Sequence, residues 1–147
     1  MILNSVIPYL VTLFDGAVAA QVFDGPKPAS VNNGAFILVG STGEEDDGAR
    51  VEMVSSTLGP GTWFDEFGEV TCSAWSWSGG TDVVARRTEA LALAVACVNA
   101  VHDDRTLGGL LLMPGATTSD ISYQPRQSDT GAIVRIIFSV SYQALNT

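Results

Sequence analysis

The spacing of apolar positions changes several times along the chain, and each change marks an element. From Asn4 to about Ala20, Val6, Leu10, Leu13, Phe14 and Ala17 recur near helical spacing, which predicts a first helix with Asn4 or Ser5 as N-cap. Pro8 falls early enough in that segment to be tolerated. Gln21-Val22-Phe23 reads as a short strand that the turn Asp24-Gly25-Pro26-Lys27-Pro28 stops. Ala35 to Gly40 is an unbroken apolar run between Asn33-Gly34 and Gly40-Ser41, the pattern of a strand buried on both faces near the middle of a sheet.

Val51 to Thr57 is a weaker strand, and Gly59-Pro60-Gly61 would turn it back onto an antiparallel partner from Glu66 to Ser78. In that partner Val70, Cys72 and Ala74 share one parity, while Thr71, Ser73, Trp75 and Trp77 share the other, so one face carries both indoles. Gly79-Gly80 ends the strand. Thr81 or Asp82 then caps a long helix with the stripe Val83, Ala90, Leu91, Ala94, Cys97, Val98 and Val101, whose small residues allow a close approach to a sheet or a second helix. A connection from Asp103 to Gly109 leads to Leu110–Met113 and the turn Pro114-Gly115. An edge-like strand around Asp120–Gln124 and a polar loop from Pro125 to Gly131 follow. In the last strand Val134, Ile136, Phe138, Val140 and Tyr142 alternate with Ile133, Arg135, Ile137, Ser139 and Ser141, giving one core face and one mixed face. With no internal repeat or linker, the expectation is one α+β domain over residues 1–147, an antiparallel or mixed β-sheet packed by two α-helices.

Charge narrows the classes of partner. Sixteen Asp and Glu against seven Lys and Arg leave a net charge of −9, which opposes binding to phosphate backbones and anionic membranes. No apolar stretch approaches the roughly 20 residues of a membrane-spanning helix, and the N-terminus lacks the basic patch of a signal peptide. A soluble protein made inside the cell is therefore expected. Cys72 and Cys97 both fall in periodic segments and read as reduced core thiols.

The chemical motifs are sparse. His102 is the only histidine, no G-x-S-x-G elbow accompanies it, and its place at a helix end suits the macrodipole better than catalysis. The cysteines lack C-x-x-C spacing, and the run Glu44, Glu45, Asp46, Asp47 lacks the alternating ligands of a calcium loop. Gly40-Ser41-Thr42-Gly43 and Gly108-Gly109 match neither a P-loop nor a dinucleotide fingerprint and read as turns. The expectation is a protein without catalytic residues, cofactor or metal, and not an enzyme. Trp75 and Trp77 offer flat surfaces on which a sugar or base stacks, but use in the core or in a subunit interface is favoured. Arg86 and Arg87 oppose the helix dipole and call for a carboxylate partner, in the same chain or in a neighbouring subunit.

Several of these elements come in a particular order: an opening helix, Val22-Phe23-Asp24-Gly25, the buried strand Phe36 to Gly40, and the alternating strand Glu69 to Trp77. The Ala-rich helix after Gly79-Gly80, the turn Asp104-Arg105-Thr106-Leu107-Gly108-Gly109 and the closing strand Gly131 to Tyr142 complete it. This order, over nearly the whole chain, resembles the tail terminator (tail completion) proteins of long-tailed bacteriophages, although each motif alone is short. The resemblance implies a structural virion protein, assembled in the host cytoplasm, that forms a six-fold ring at the head-proximal end of the tail tube. Such a ring stops tube polymerisation and offers an interface to the head connector. Its implied partners are further copies of itself, the tail tube protein and the head-to-tail connector protein, with viral DNA passing through the lumen without specific binding and no membrane involved. A negative lumen would repel phosphate and prevent sticking. In that setting Trp75, Trp77, Arg86 and Arg87 are candidates for subunit contacts, and Glu44, Glu45, Asp46 and Asp47 for a lumen or rim loop. A head-to-tail connector or tube subunit shares the same features, and a cellular small-ligand-binding domain using the tryptophan face is the more distant alternative.

Overall fold

A computed structural model describes residues 1–26, 34–43, 48–56, 63–80, 82–128 and 131–144. Its elements run α1 (Leu3–Ala17), β1 (Gln21–Asp24), β2 (Gly34–Val39), β3 (Ala49–Ser56), β4 (Trp63–Ser78), α2 (Val83–Asp103), β5 (Thr117–Ser128) and β6 (Gly131–Ala144). The long strands β4 and β6 form the spine, antiparallel from Glu66 opposite Ala144 to Ser78 opposite Ala132. Outward from them the order is β1-β2-β4-β6-β5, with β3 also on β4. Because β6 occupies one edge of β4, β2 and β3 share the other end to end, β3 along the first half and β2 along the second. Among the described strands only β1 and β2 pair parallel, so the domain is α+β with a mixed sheet.

Strand parity sets the core. Val70, Cys72 and Ala74 of β4 and Val134, Ile136, Phe138, Val140 and Tyr142 of β6 are buried toward the helices. Onto them α1 lays Val6, Leu10 and Phe14, with Phe14 edge-on to Phe138 at 6.0 Å, and α2 lays Ala90, Ala94, Cys97 and Val101. The small side chains of α2 permit this close seat. In β2, Phe36, Ile37, Leu38 and Val39 are all buried, as the unbroken apolar run predicts.

Three expectations are corrected. α1 starts at Leu3 with Ile2 at the N-cap, not at Asn4 or Ser5, and its Ala17 is exposed. On α2 Asp82 is the cap, its carboxylate accepting from the Ala85 N–H at 3.0 Å, but Leu91 is 44% exposed and does not belong to the buried stripe. Pro125–Ser128 belong to β5 and not to a loop, Pro125 standing opposite Val134; β5 is an edge strand, where a proline is tolerated.

α1 has no local cap because a distant residue supplies one. Glu66 of β4 is fully buried and its two carboxylate oxygens accept from the Ile2 N–H at 2.9 and 3.2 Å, with the Met1 amino nitrogen 3.7 Å away. The Tyr142 hydroxyl donates to the same carboxylate at 2.6 Å, and burial, then Glu66 itself, pushes that hydroxyl's pKa up. The Tyr142 ring lies across Gly68, its cross-strand partner, where a Cβ would sit 2.1 Å from the ring. We expect Gly68→Ala to cost about 1–3 kcal/mol by displacing that ring, and Glu66→Ala to cost about 2–4 kcal/mol by orphaning the buried Tyr142 hydroxyl and the part-buried Ile2 N–H. Urea midpoints measure both; an unchanged midpoint for Gly68→Ala would contradict the contact.

Candidate functional site

The sheet face turned away from the helices carries one cross-strand row: Gln21 of β1, Phe36 of β2, Trp75 of β4, Arg135 of β6 and Gln124 of β5 stand successively opposite one another. Phe36 and Trp75 stack with centroids 5.6 Å apart and planes 14° from parallel, and Phe23 meets Phe36 edge-on at 6.3 Å. The Arg135 guanidinium lies 5.3 Å from the Trp75 ring centroid on the other side. Although only 9% exposed, this arginine donates to the Thr42 carbonyl at 2.8 Å and to the Gln124 side-chain oxygen. A buried cation is costly unless paired with acceptors, and ring, carbonyl and amide supply them here.

The residues following β2 are pinned onto this face. Ser73 donates to the Ser41 carbonyl and accepts from the Trp75 indole N–H, both at 2.9 Å, so Ser41 and Thr42 are buried. Gly43 has φ +84°, and a Cβ there would lie 2.5 Å from the Trp75 ring. The cleft left beside it, lined by Trp75, Gln124, Arg126 and Ile133, holds about 180 Å³. That is below the roughly 300–1,000 Å³ of small-molecule sites.

The sequence-derived candidates are not brought together. Trp75 and Trp77 share the open face, both half-buried, with Trp77 between Gly34 and Ile133. Arg86 lies on the other side of the sheet, where it donates to Ser76 at 3.1 Å and approaches Glu89 at 3.6 Å, so its carboxylate partner is in its own chain. Ser76 also donates to Glu89 at 3.1 Å. Arg87 is exposed. Glu44, Glu45, Asp46 and Asp47 lie outside the described residues. His102 ends α2, with its imidazole 3.2 Å from the Thr118 hydroxyl. No cluster of three His, Cys, Asp or Glu suited to a metal occurs among the described residues, and no described helix is long and apolar enough to cross a membrane.

A second polar cluster joins the helices. Tyr9 of α1 donates to Asp104, whose other oxygen accepts from the Gly108 N–H at 3.0 Å. Gly108 takes φ +66°, and a Cβ would meet the Tyr9 ring at 2.6 Å; beside it Leu107, φ 49°, is fully buried. Arg105 donates to the Ala116 carbonyl at 3.0 Å and closes the loop. The turn Asp104–Gly109 is thus a structural joint. Sequence reasoning missed Arg135 and Glu66 as organising residues. The one signal for Arg135 was a charge in the middle of an otherwise apolar strand, and Glu66 gave none.

No protein-family model matches the chain, and no curated protein matches it.

Two predictions follow from these clusters. The Gly108 N–H, then the Tyr9 hydroxyl, hold Asp104 below the usual carboxylate range. Asp104 therefore contributes stability that is present above the unfolded carboxylate's pKa and is lost as pH falls through the depressed folded value. In Tyr9→Phe, a carboxyl NMR titration should find Asp104 closer to its ordinary value. Cys72 and Cys97 are free and buried, and burial pushes the Cys72 thiol up to about 12 and raises Cys97 as well. A thiol reagent should label neither in the folded protein at neutral pH and both in urea; fast native labelling would contradict the packing.

Proposed function

We propose that this chain is a structural subunit of a bacteriophage virion that closes into a ring, six-fold by resemblance, at the head-proximal end of the tail tube. There it stops tube growth and offers a surface to the head connector. What supports the reading is the order of its elements: α1, the β1–β2 pair, the long alternating β4, the small-residue helix α2, the Asp104–Gly109 turn and the closing strand β6. That order is the one in which the sequence resembles tail terminators. The net charge of −9 suits a ring through which DNA slides without adhering. A ring of identical subunits needs two different, complementary faces, and a terminator's two ring surfaces differ, so that one matches the last tube ring and the other admits no further tube subunit. Of the four residues first assigned to subunit contacts, Trp75 and Arg86 are engaged inside their own chain, which leaves Trp77 and Arg87 to face a neighbour.

Electron microscopy of lysates in which the gene is disabled tests the reading. Overlong tails without heads are expected. Normal-length tails lacking heads would assign the chain to the connector instead, and intact infectious particles would refute a role in assembly. A purified protein that polymerises into long cylinders would make it a tube subunit.

A further inference from the structure

Two opposite borders of the sheet expose apolar residues with opposite charge around them. On α2, Val84, Leu91 and Val95 are 60%, 44% and 44% exposed. At helical periodicity they share a row with His102, which reaches Thr118, so this row flanks β5. Along β5 itself Ile121 and Tyr123 are exposed, and among the described strands β5 has only β6 as partner. The exposed charge beside the α2 row is cationic. Arg87, which is exposed, sits one turn from both Val84 and Leu91. The nearby acids of α2 are engaged, Asp82 on the helix N-terminus and Glu89 with Arg86 and Ser76.

The other border is the β3–β4 hairpin. Met53, Val54 and Phe67 are exposed there, and β3 pairs only with β4 among the described strands. Its charges are mainly acidic: Glu52 opposite Phe67, Asp65 opposite Val54, and Glu69 opposite the cation Arg50. β4 and β6 separate this border from β5.

We propose that the α2–β5 border of one copy docks on the β3–β4 hairpin of a second copy, its apolar row against Val54 and Phe67, with Arg87 facing Glu52, which stands opposite Phe67. The occupant is a second copy because the complementary charge and the complementary apolar area are both present on this chain. Two different faces on opposite borders give a head-to-tail, heterologous contact, the kind that closes into a ring. Side chains make the contact instead of strand addition, since Pro125 lacks an N–H and the irregularity between Ser119 and Ser122 interrupts the edge. The inference rests on the ring reading for its biological setting and on these surfaces for its content.

Sedimentation velocity of the full chain at low and high salt tests it, with circular dichroism to verify folding. Wild-type protein should self-associate, less so at high salt. Arg87→Glu, and separately Glu52→Arg, should each weaken association about tenfold or more, and the two together in one chain should recover much of it. Association unchanged in the charge variants overturns this interface while leaving the ring reading intact. Failure of the combined variant to recover overturns the direct pairing. A wild-type chain that stays monomeric at its highest soluble concentration overturns self-docking, and tail-length micrographs then judge the ring reading independently.

Discussion

The antiparallel pairing of β4 with β6 is the constraint on which the rest of the structure depends. Its register sends Cys72, Ala74, Ile136 and Phe138 under the helices and Trp75 and Arg135 to the opposite face. Because side chains alternate with a period of two, a slip of one residue would exchange the two sets and place a guanidinium in the apolar core. Both ends of the pairing are pinned. At one end Tyr142 lies over Gly68 and reaches Glu66; at the other Gly131, φ +149°, lies so close to Ser78 that a Cβ would come within 2.3 Å of its carbonyl oxygen.

Glu66 links this spine to the helical layer. A carboxylate with no solvent exposure would be expensive alone, but the N-terminal end of α1 and the Tyr142 hydroxyl meet it. The same carboxylate thus ties β4 to β6 and to α1. A second tie, from Tyr9 to Asp104 and on to Gly108, joins the middle of α1 to the C-terminal end of α2.

The open face shows how a surface that looks like a binding site becomes an internal one. Phe23, Phe36 and Trp75 form an aromatic row, Arg135 extends it, and Ser41 and Thr42 close over part of it. Most of the hydrogen-bonding capacity around Trp75 is taken up within the chain. Exposed large apolar side chains lie instead at Met53, Val54 and Phe67 on the β3–β4 hairpin, at Leu91, Val95, Ile121 and Tyr123 beside and along β5, and at Leu112 and Met113 in the turns before it.

The fold class, the parity of β4 and β6 and the buried run of β2 were legible in the sequence, because period 2 and period 3.6 follow from backbone stereochemistry and appear wherever one side of an element is apolar. The small-residue seam of α2 and its Asp82 cap were legible for the same local reason. The sequence pattern did not reveal that Glu66 caps α1 across 64 residues, that Arg135 reaches Thr42 across 93, or that Tyr142 meets Glu66 across 76. Nor did it reveal that Pro125 continues a strand, which depended on β5 lying at the edge. Local spacing determines which face of an element is apolar; only the packed chain decides which distant polar group arrives there. Burial makes an unpaired polar group costly, so the partners that complete this fold were selected by three-dimensional proximity and left no periodic trace in the sequence.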